Sequence, residues 1–79
     1  MTSMIEPAKL SGLRQAVYVM NCLSEQHKEP QIVNALNNDK QLFDMWKSFL
    51  KYNNWMTEQE EGWCITPKGA VWKTKVATA

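Results

Sequence analysis

The sequence predicts a mainly α-helical domain with one small β-hairpin, in the order helix, helix, turn, helix, two-stranded hairpin, helix. Three observations predict it. Apolar residues recur at three- and four-residue spacing in three stretches before Asn53, the signature of helices that bury one face. Aromatic and β-branched residues then bracket the polar run Glu58-Gln59-Glu60-Glu61-Gly62, the pattern of a hairpin. Finally, Thr66-Pro67 sets a capping hydroxyl directly before a proline, a strong start signal for one more helix.

Residues 1–6 read as a loose, disordered lead-in, and Pro7 or Ser11 opens the first helix. Gly12 lowers helix preference in the first turn, which favours the later start. Leu10, Leu13, Val17, Met20 and Leu23 form the buried stripe, widened by Ala16 and Val19, and the helix is expected to end near Glu25. Residues 25–29 are a polar connection. Pro30 suits the first position of a second helix, where its missing N–H is no loss, and Ile32, Val33 and Leu36 supply the apolar stripe over about two turns. Asn37-Asn38 ends this helix, since Asn tolerates left-handed backbone, and Asp39 is a good N-cap for the next.

The third helix is expected over residues 40–52. Leu42, Phe43, Met45, Trp46, Phe49 and Leu50 cover more than half its circumference, while Lys40, Asp44, Lys47, Ser48 and Lys51 share one polar face. Trp55, Met56 and Thr57 have strand character, as do Trp63, Cys64, Ile65 and Thr66, with Trp63 and Ile65 expected to face the helices. In the last helix Val71, Trp72 and Val76 are expected on one packed side, with lysines elsewhere.

The chain's 79 residues suit a single domain, in which burial is limited and every large apolar side chain counts. Its four tryptophans are expected in or at the edge of the core, each burying on the order of 150–250 Å². Nine Lys/Arg against eight Asp/Glu leave a net charge of +1, so bulk charge does not direct the chain to polyanions. Local asymmetry is present: residues 58–61 carry three carboxylates and no base, and residues 66–79 carry Lys68, Lys73 and Lys75 and no acid. Cys22 and Cys64 lack metal or redox spacing and are expected as reduced thiols of a cytoplasmic protein. No apolar run approaches the roughly 20 residues of a membrane span, and the N-terminal residues do not read as a secretory signal.

Catalysis has little support. His27 is the sole histidine and falls in a polar connection; Cys22 and His27 lack further ligands at metal spacing. There is no glycine-rich phosphate loop, and Glu60-Glu61 are neighbours on a turn rather than carboxylates facing across a cleft. Neither a catalytic residue nor a metal or cofactor is expected.

Two stretches carry a resemblance. QIVNALNNDKQLFDMWKSFLKYNNWM, residues 31–56, looks like a short helix, a turn, a longer helix and a polar bend before an apolar pair. EEGWCITPKG, residues 60–69, looks like a second hairpin strand running into a Thr-Pro-Lys-Gly helix start. Together they resemble the winged helix-turn-helix superfamily of small prokaryotic and phage proteins, although the strand often found there between the first two helices is not evident. The resemblance implies a DNA-binding transcriptional regulator, most simply a homodimer on double-stranded DNA, with its first helix and Trp72 helix as candidate dimer surfaces. Helix 3 would enter the major groove. Lys40, Gln41, Lys47, Ser48 and Lys51 would then be contacts, with Lys28 and the helix 2 N-terminus near a phosphate.

One departure points elsewhere. A wing in this superfamily commonly runs along the phosphate backbone, yet here its tip carries Glu58, Glu60 and Glu61. Those carboxylates repel phosphates, by roughly 1 kcal/mol per close pair in high dielectric. The alternative is therefore a winged-helix protein-interaction module, an inhibitor or adaptor that does not bind DNA and acts through its acidic wing and apolar surface.

Overall fold

Six elements follow one another in a computed structural model that describes residue 10 and residues 12–78: α1 (Leu13–Ser24), α2 (Glu29–Ala35), α3 (Lys40–Tyr52), β1 (Met56–Gln59), β2 (Gly62–Ile65) and α4 (Pro67–Thr78). The chain is thus mainly helical with a two-stranded antiparallel hairpin. The expected lead-in at 1–6 and the helix openings at Pro7 or Ser11 lie outside the described residues. Pro30 takes the second helical position rather than the first, because Lys28 is the N-cap and Glu29 already has helical geometry.

The first three helices stop in the same way. Each is followed by its cap and then by left-handed backbone: Gln26 (φ 62°) after α1, Asn37 (φ 59°) and Asn38 (φ 60°) after α2, and Asn54 (φ 61°) after α3. In each case two N–H groups fold back onto the last turn. Gln26 and His27 donate to the carbonyls of Leu23 and Cys22, Asn37 and Asn38 to Asn34 and Val33, and Asn54 and Trp55 to Lys51 and Leu50. Carbonyls that a helix end would leave open are satisfied this way. Asn at three of these four positions fits the conformation, since its short polar side chain tolerates it better than most. At the other end of α3 the Asp39 carboxylate accepts the Leu42 N–H at 3.0 Å, closing the N-terminus as expected.

The core gathers around α1, which packs against α3, α4 and β2. Ala16, Val19 and Met20 of α1 meet Ile32 and Leu36 from the α2 segment, Phe43 and Leu50 of α3, and Met56 of β1, all essentially solvent-free. One buried polar contact crosses this core: the Trp46 indole N–H donates to the Gln15 amide oxygen at 2.8 Å. Gln15→Leu deprives that N–H of its acceptor and is expected to destabilise the fold by about 1–3 kcal/mol. Combining it with Trp46→Phe removes both partners and should lose at least 1 kcal/mol less than the two single changes added together. Urea unfolding of the two singles and the double tests this, and strict additivity would show that the bond contributes nothing.

The hairpin is tighter than its sequence suggested. Gln59 pairs with Gly62, and Glu58 with Trp63. Only Glu60-Glu61 form the turn, so Glu58 and Gln59 belong to β1 rather than to the tip. Trp55 precedes β1 rather than opening it, because its N–H is held by Leu50 at the end of α3. Thr66 likewise leaves β2 to cap α4. Trp63 and Ile65 pack against the core as the alternation required.

Thr66 joins three elements. Its hydroxyl donates to the Asn54 carbonyl at 2.6 Å and accepts the Gly69 N–H at 2.9 Å, while its own N–H donates to the Trp55 carbonyl at 3.0 Å. These bonds draw the first turn of α4 onto the backbone at residues 54–55. Gly69 is buried at the closest approach: a Cβ there would overlap the Trp55 carbonyl oxygen and lie 2.8 Å from its carbon. The Thr-Pro-Lys-Gly run is therefore a clasp between α4 and the connection from α3 to β1. One expectation fails in α4. Val71 is 57% exposed rather than packed, since Trp72 and Val76 occupy the inward side.

Candidate functional site

The polar face of α3 is electrostatically closed. Glu29, in the first turn of α2, lies 3.7 Å from the Lys40 ammonium and 3.6 Å from that of Lys47. Asp44 lies between the same two lysines, 3.2 Å from Lys40 and 3.6 Å from Lys47. Asp44, by hydrogen bond and charge, and then Glu29 push the Lys40 pKa above the ordinary lysine value. Lys47 is the more enclosed of the pair and also rests its ammonium over the Phe43 ring, 4.7 Å from the centroid. At the C-terminal end Lys51 is 3.5 Å from Glu58 of β1 and 6.0 Å from the centre of the Trp63 ring. Each helix 3 lysine expected as a DNA contact thus lies within 3.7 Å of a carboxylate, Lys40 and Lys47 sharing theirs.

Of the remaining candidates, Gln41 and Ser48 are exposed on α3 with no side-chain hydrogen bond among the described residues. Lys28 is exposed at the N-cap of α2, where its backbone N–H is satisfied by the Gln31 amide oxygen at 3.3 Å. Glu60 and Glu61 form the exposed hairpin turn without ion pairs among the described residues. The structure brings Lys40, Lys47 and Asp44 together and places Glu58 beside Lys51; Glu60 and Glu61 stand apart from this network. Within residues 28–65, Lys28, Lys40, Lys47 and Lys51 oppose Glu29, Asp39, Asp44, Glu58, Glu60 and Glu61. Four bases against six acids leave two net negative charges on the half of the molecule that carries α2, α3 and the hairpin.

Two surface features escaped the sequence reading. Met45 and Tyr52, seven residues apart on α3, are 49% and 86% exposed, although Met45 belongs to the apolar positions of the helix. The other lies at α4. Trp55 and Trp72 stack with ring centroids 4.0 Å apart and planes 10° from parallel. With Val71, Lys68 and Lys75 they line a mostly apolar surface groove of about 370 Å³. Phe49 holds both rings edge-on from below, at 5.4 Å from Trp55 and 6.3 Å from Trp72. The repeat Lys68, Val71, Trp72, Lys75 at i, i+3, i+4, i+7 was the available signal.

Other groups offer little chemistry. Burial pushes the Tyr18 hydroxyl up to about 12, with its hydrogen bond to Cys22 adding to the rise. Burial also raises the Cys22 thiol, the direction opposite to an activated thiolate. Both cysteines are free. Among the described residues no group of three His, Cys, Asp or Glu side chains could hold a metal ion, and no helix is long and apolar enough to cross a membrane. No family model matches the chain, and neither a curated protein nor a solved structure does.

Proposed function

We propose that the chain is a winged helix-turn-helix module of the cytoplasm that acts by binding a protein rather than by reading duplex DNA. The order of elements and the Thr66–Gly69 clasp support the winged-helix reading. The charge of the reading half carries the functional one. Its four lysines face six carboxylates, and Lys40, Lys47 and Lys51 each lie within 3.7 Å of at least one. Binding to duplex DNA draws its sequence-independent affinity from cations that neutralise phosphates and release counterions. Here a phosphate reaching any of these lysines meets a carboxylate held beside it. A protein partner has no such requirement. Exposed Met45 and Tyr52 are side chains of the kinds enriched at protein interfaces, and the ion-paired face of α3 adjoins them on one side.

An electrophoretic titration on random duplex at low salt tests this reading. The native chain is expected to give no shift at tens of micromolar, where even non-specific DNA binders, with Kd of about 10⁻⁴–10⁻⁶ M at physiological salt, become visible. The triple change Glu58→Lys, Glu60→Lys and Glu61→Lys frees Lys51 and reverses the hairpin's charge, and is expected to create salt-sensitive binding. A native chain that shifts the duplex would sink the proposal.

The second reading, a homodimeric regulator using α3 as recognition helix, keeps one specific observation. Gln41 and Ser48 stand exposed on α3, without partners among the described residues, at positions suited to base and phosphate contact. Surface ion pairs are worth only about 0–1 kcal/mol, so the lysines beside them can exchange partners. In that case Lys47→Ala would weaken DNA binding on all sequences, whereas Gln41→Ala would relax the preference for one base.

A further inference from the structure

The face of α4 that lines this groove is a built surface with a distinct chemistry. Lys68, Val71, Trp72 and Lys75 fall on one face of the helix. Val71 is 57% exposed, and Trp72 is locked against Trp55 in the stacked pair. The floor of the groove is therefore preorganised, which lowers the ordering cost of binding. Lys68 and Lys75 close its two ends, about 10 Å apart along the axis at the rise of an α-helix. Both are exposed and carry no ion pair among the described residues. Residues 67–78 contain no acidic side chain.

We propose that this stripe docks an acidic amphipathic helix of a protein partner, one with two large apolar residues between carboxylates seven positions apart. The proposal rests on the protein-binding reading and adds the partner's chemistry and the surface that takes it. An α-helix repeats the same rise, so its acid–apolar–apolar–acid stripe matches Lys68, Val71, Trp72 and Lys75 in register. A second copy of this chain is a poor occupant. Pairing α4 with itself sets lysine against lysine, and no two carboxylates of the sequence lie seven residues apart. A phosphate backbone would satisfy the lysines but leave the apolar floor uncovered.

The test uses the full chain, labelled so that the four indole N–H resonances are resolved. The probe is a synthetic helical peptide carrying the Glu–Leu–Leu–Glu stripe at i, i+3, i+4, i+7, and its counterpart with Lys for both Glu. The acidic peptide is expected to move the Trp55 and Trp72 resonances with micromolar affinity, at least tenfold tighter than the basic one. The exposed pair Lys68→Glu and Lys75→Glu should invert that preference. Val71→Glu, which changes only the groove wall, should weaken acidic-peptide binding at least tenfold if the double variant unfolds. Equal affinity for the two peptides, no response to the acidic one at millimolar concentration, or tighter binding of a single-stranded oligonucleotide at the same indoles would overturn the proposal. Failure here without a duplex shift in the titration above removes this surface and leaves the protein-binding reading standing. A duplex shift together with acidic-peptide binding removes that reading and keeps the docking face.

Discussion

Adding one methyl group at Gly69 is expected to destabilise the chain by about 3 kcal/mol, the upper end of the usual overpacking range. On intrinsic preference Ala in a helix should gain up to about 1 kcal/mol over Gly, so a large loss would run against propensity. The reason is contact with backbone rather than with a side chain that can swing away. The new Cβ would overlap the Trp55 carbonyl oxygen and lie 2.8 Å from its carbon and 3.0 Å from its Cα. Trp55 cannot retreat easily, since its N–H is bonded to Leu50 and its carbonyl accepts from Thr66. In a domain this small, each 1 kcal/mol shifts Tm by roughly 4–8 °C, so Gly69→Ala should melt more than 10 °C below the native chain. Lys68→Ala, one position earlier and exposed, should stay within about 0.5 kcal/mol. Thermal unfolding followed by circular dichroism compares the two. A Gly69→Ala loss below 1 kcal/mol would mean that close approach is not what requires glycine.

This clasp marks how far the fold was legible in the sequence. Thr66-Pro67 announced a helix start by local chemistry alone, and the cap is present. The need for glycine at position 69 was not legible, because it arises from a backbone segment fourteen residues earlier in the chain. The helix ends divide in the same manner. Asn37 suits left-handed backbone and was read as a terminator. Gln26 takes the same conformation with no side chain that favours it, and its amide lies 3.1 Å from where a Cβ on Gly62 would stand. Tertiary placement therefore coincides with a backbone choice that local propensity would not make. Val71 was misread for a related reason: a short helix with apolar residues on two sides does not declare which side packs.

The candidate site shows the same boundary. That Lys40, Asp44 and Lys47 share a face followed from helical spacing, and so did the Lys40–Asp44 pairing at i and i+4. The two acids that complete the compensation come from elsewhere, Glu29 across the turn from α2 and Glu58 from the first hairpin strand. Sequence reading placed Glu58 at a free tip, where it would repel a phosphate. In the folded chain it sits in β1 beside Lys51 and pairs with a lysine of the α3 polar face. Negative charge therefore lies within the polar face of α3 as well as at the hairpin turn.

Phe49→Ala carries the second large expected effect, because this ring ties α3 to both tryptophans of the α4 groove floor. It meets Trp46 at 5.5 Å, Trp55 at 5.4 Å and Trp72 at 6.3 Å, edge-on in each case. Phe→Ala in a core costs about 3–5 kcal/mol. Phe49 is half-buried, so the lower end, about 3 kcal/mol, is expected. Phe49→Leu restores most of the volume but none of the edge-to-face geometry, worth about 0.5–1.5 kcal/mol per aromatic pair, and should fall between the two. Denaturant unfolding gives the stability. The near-ultraviolet dichroism of the stacked Trp55–Trp72 pair gives an independent readout under conditions where the variants remain folded. If Phe49 sets the stack, that signal weakens in Phe49→Ala before unfolding begins, and acidic-peptide affinity drops with it. If the signal persists unchanged while stability falls, the two indoles hold each other without Phe49. The groove floor would then owe its order to the Thr66–Gly69 clasp, which fixes the backbone on which both tryptophans are mounted.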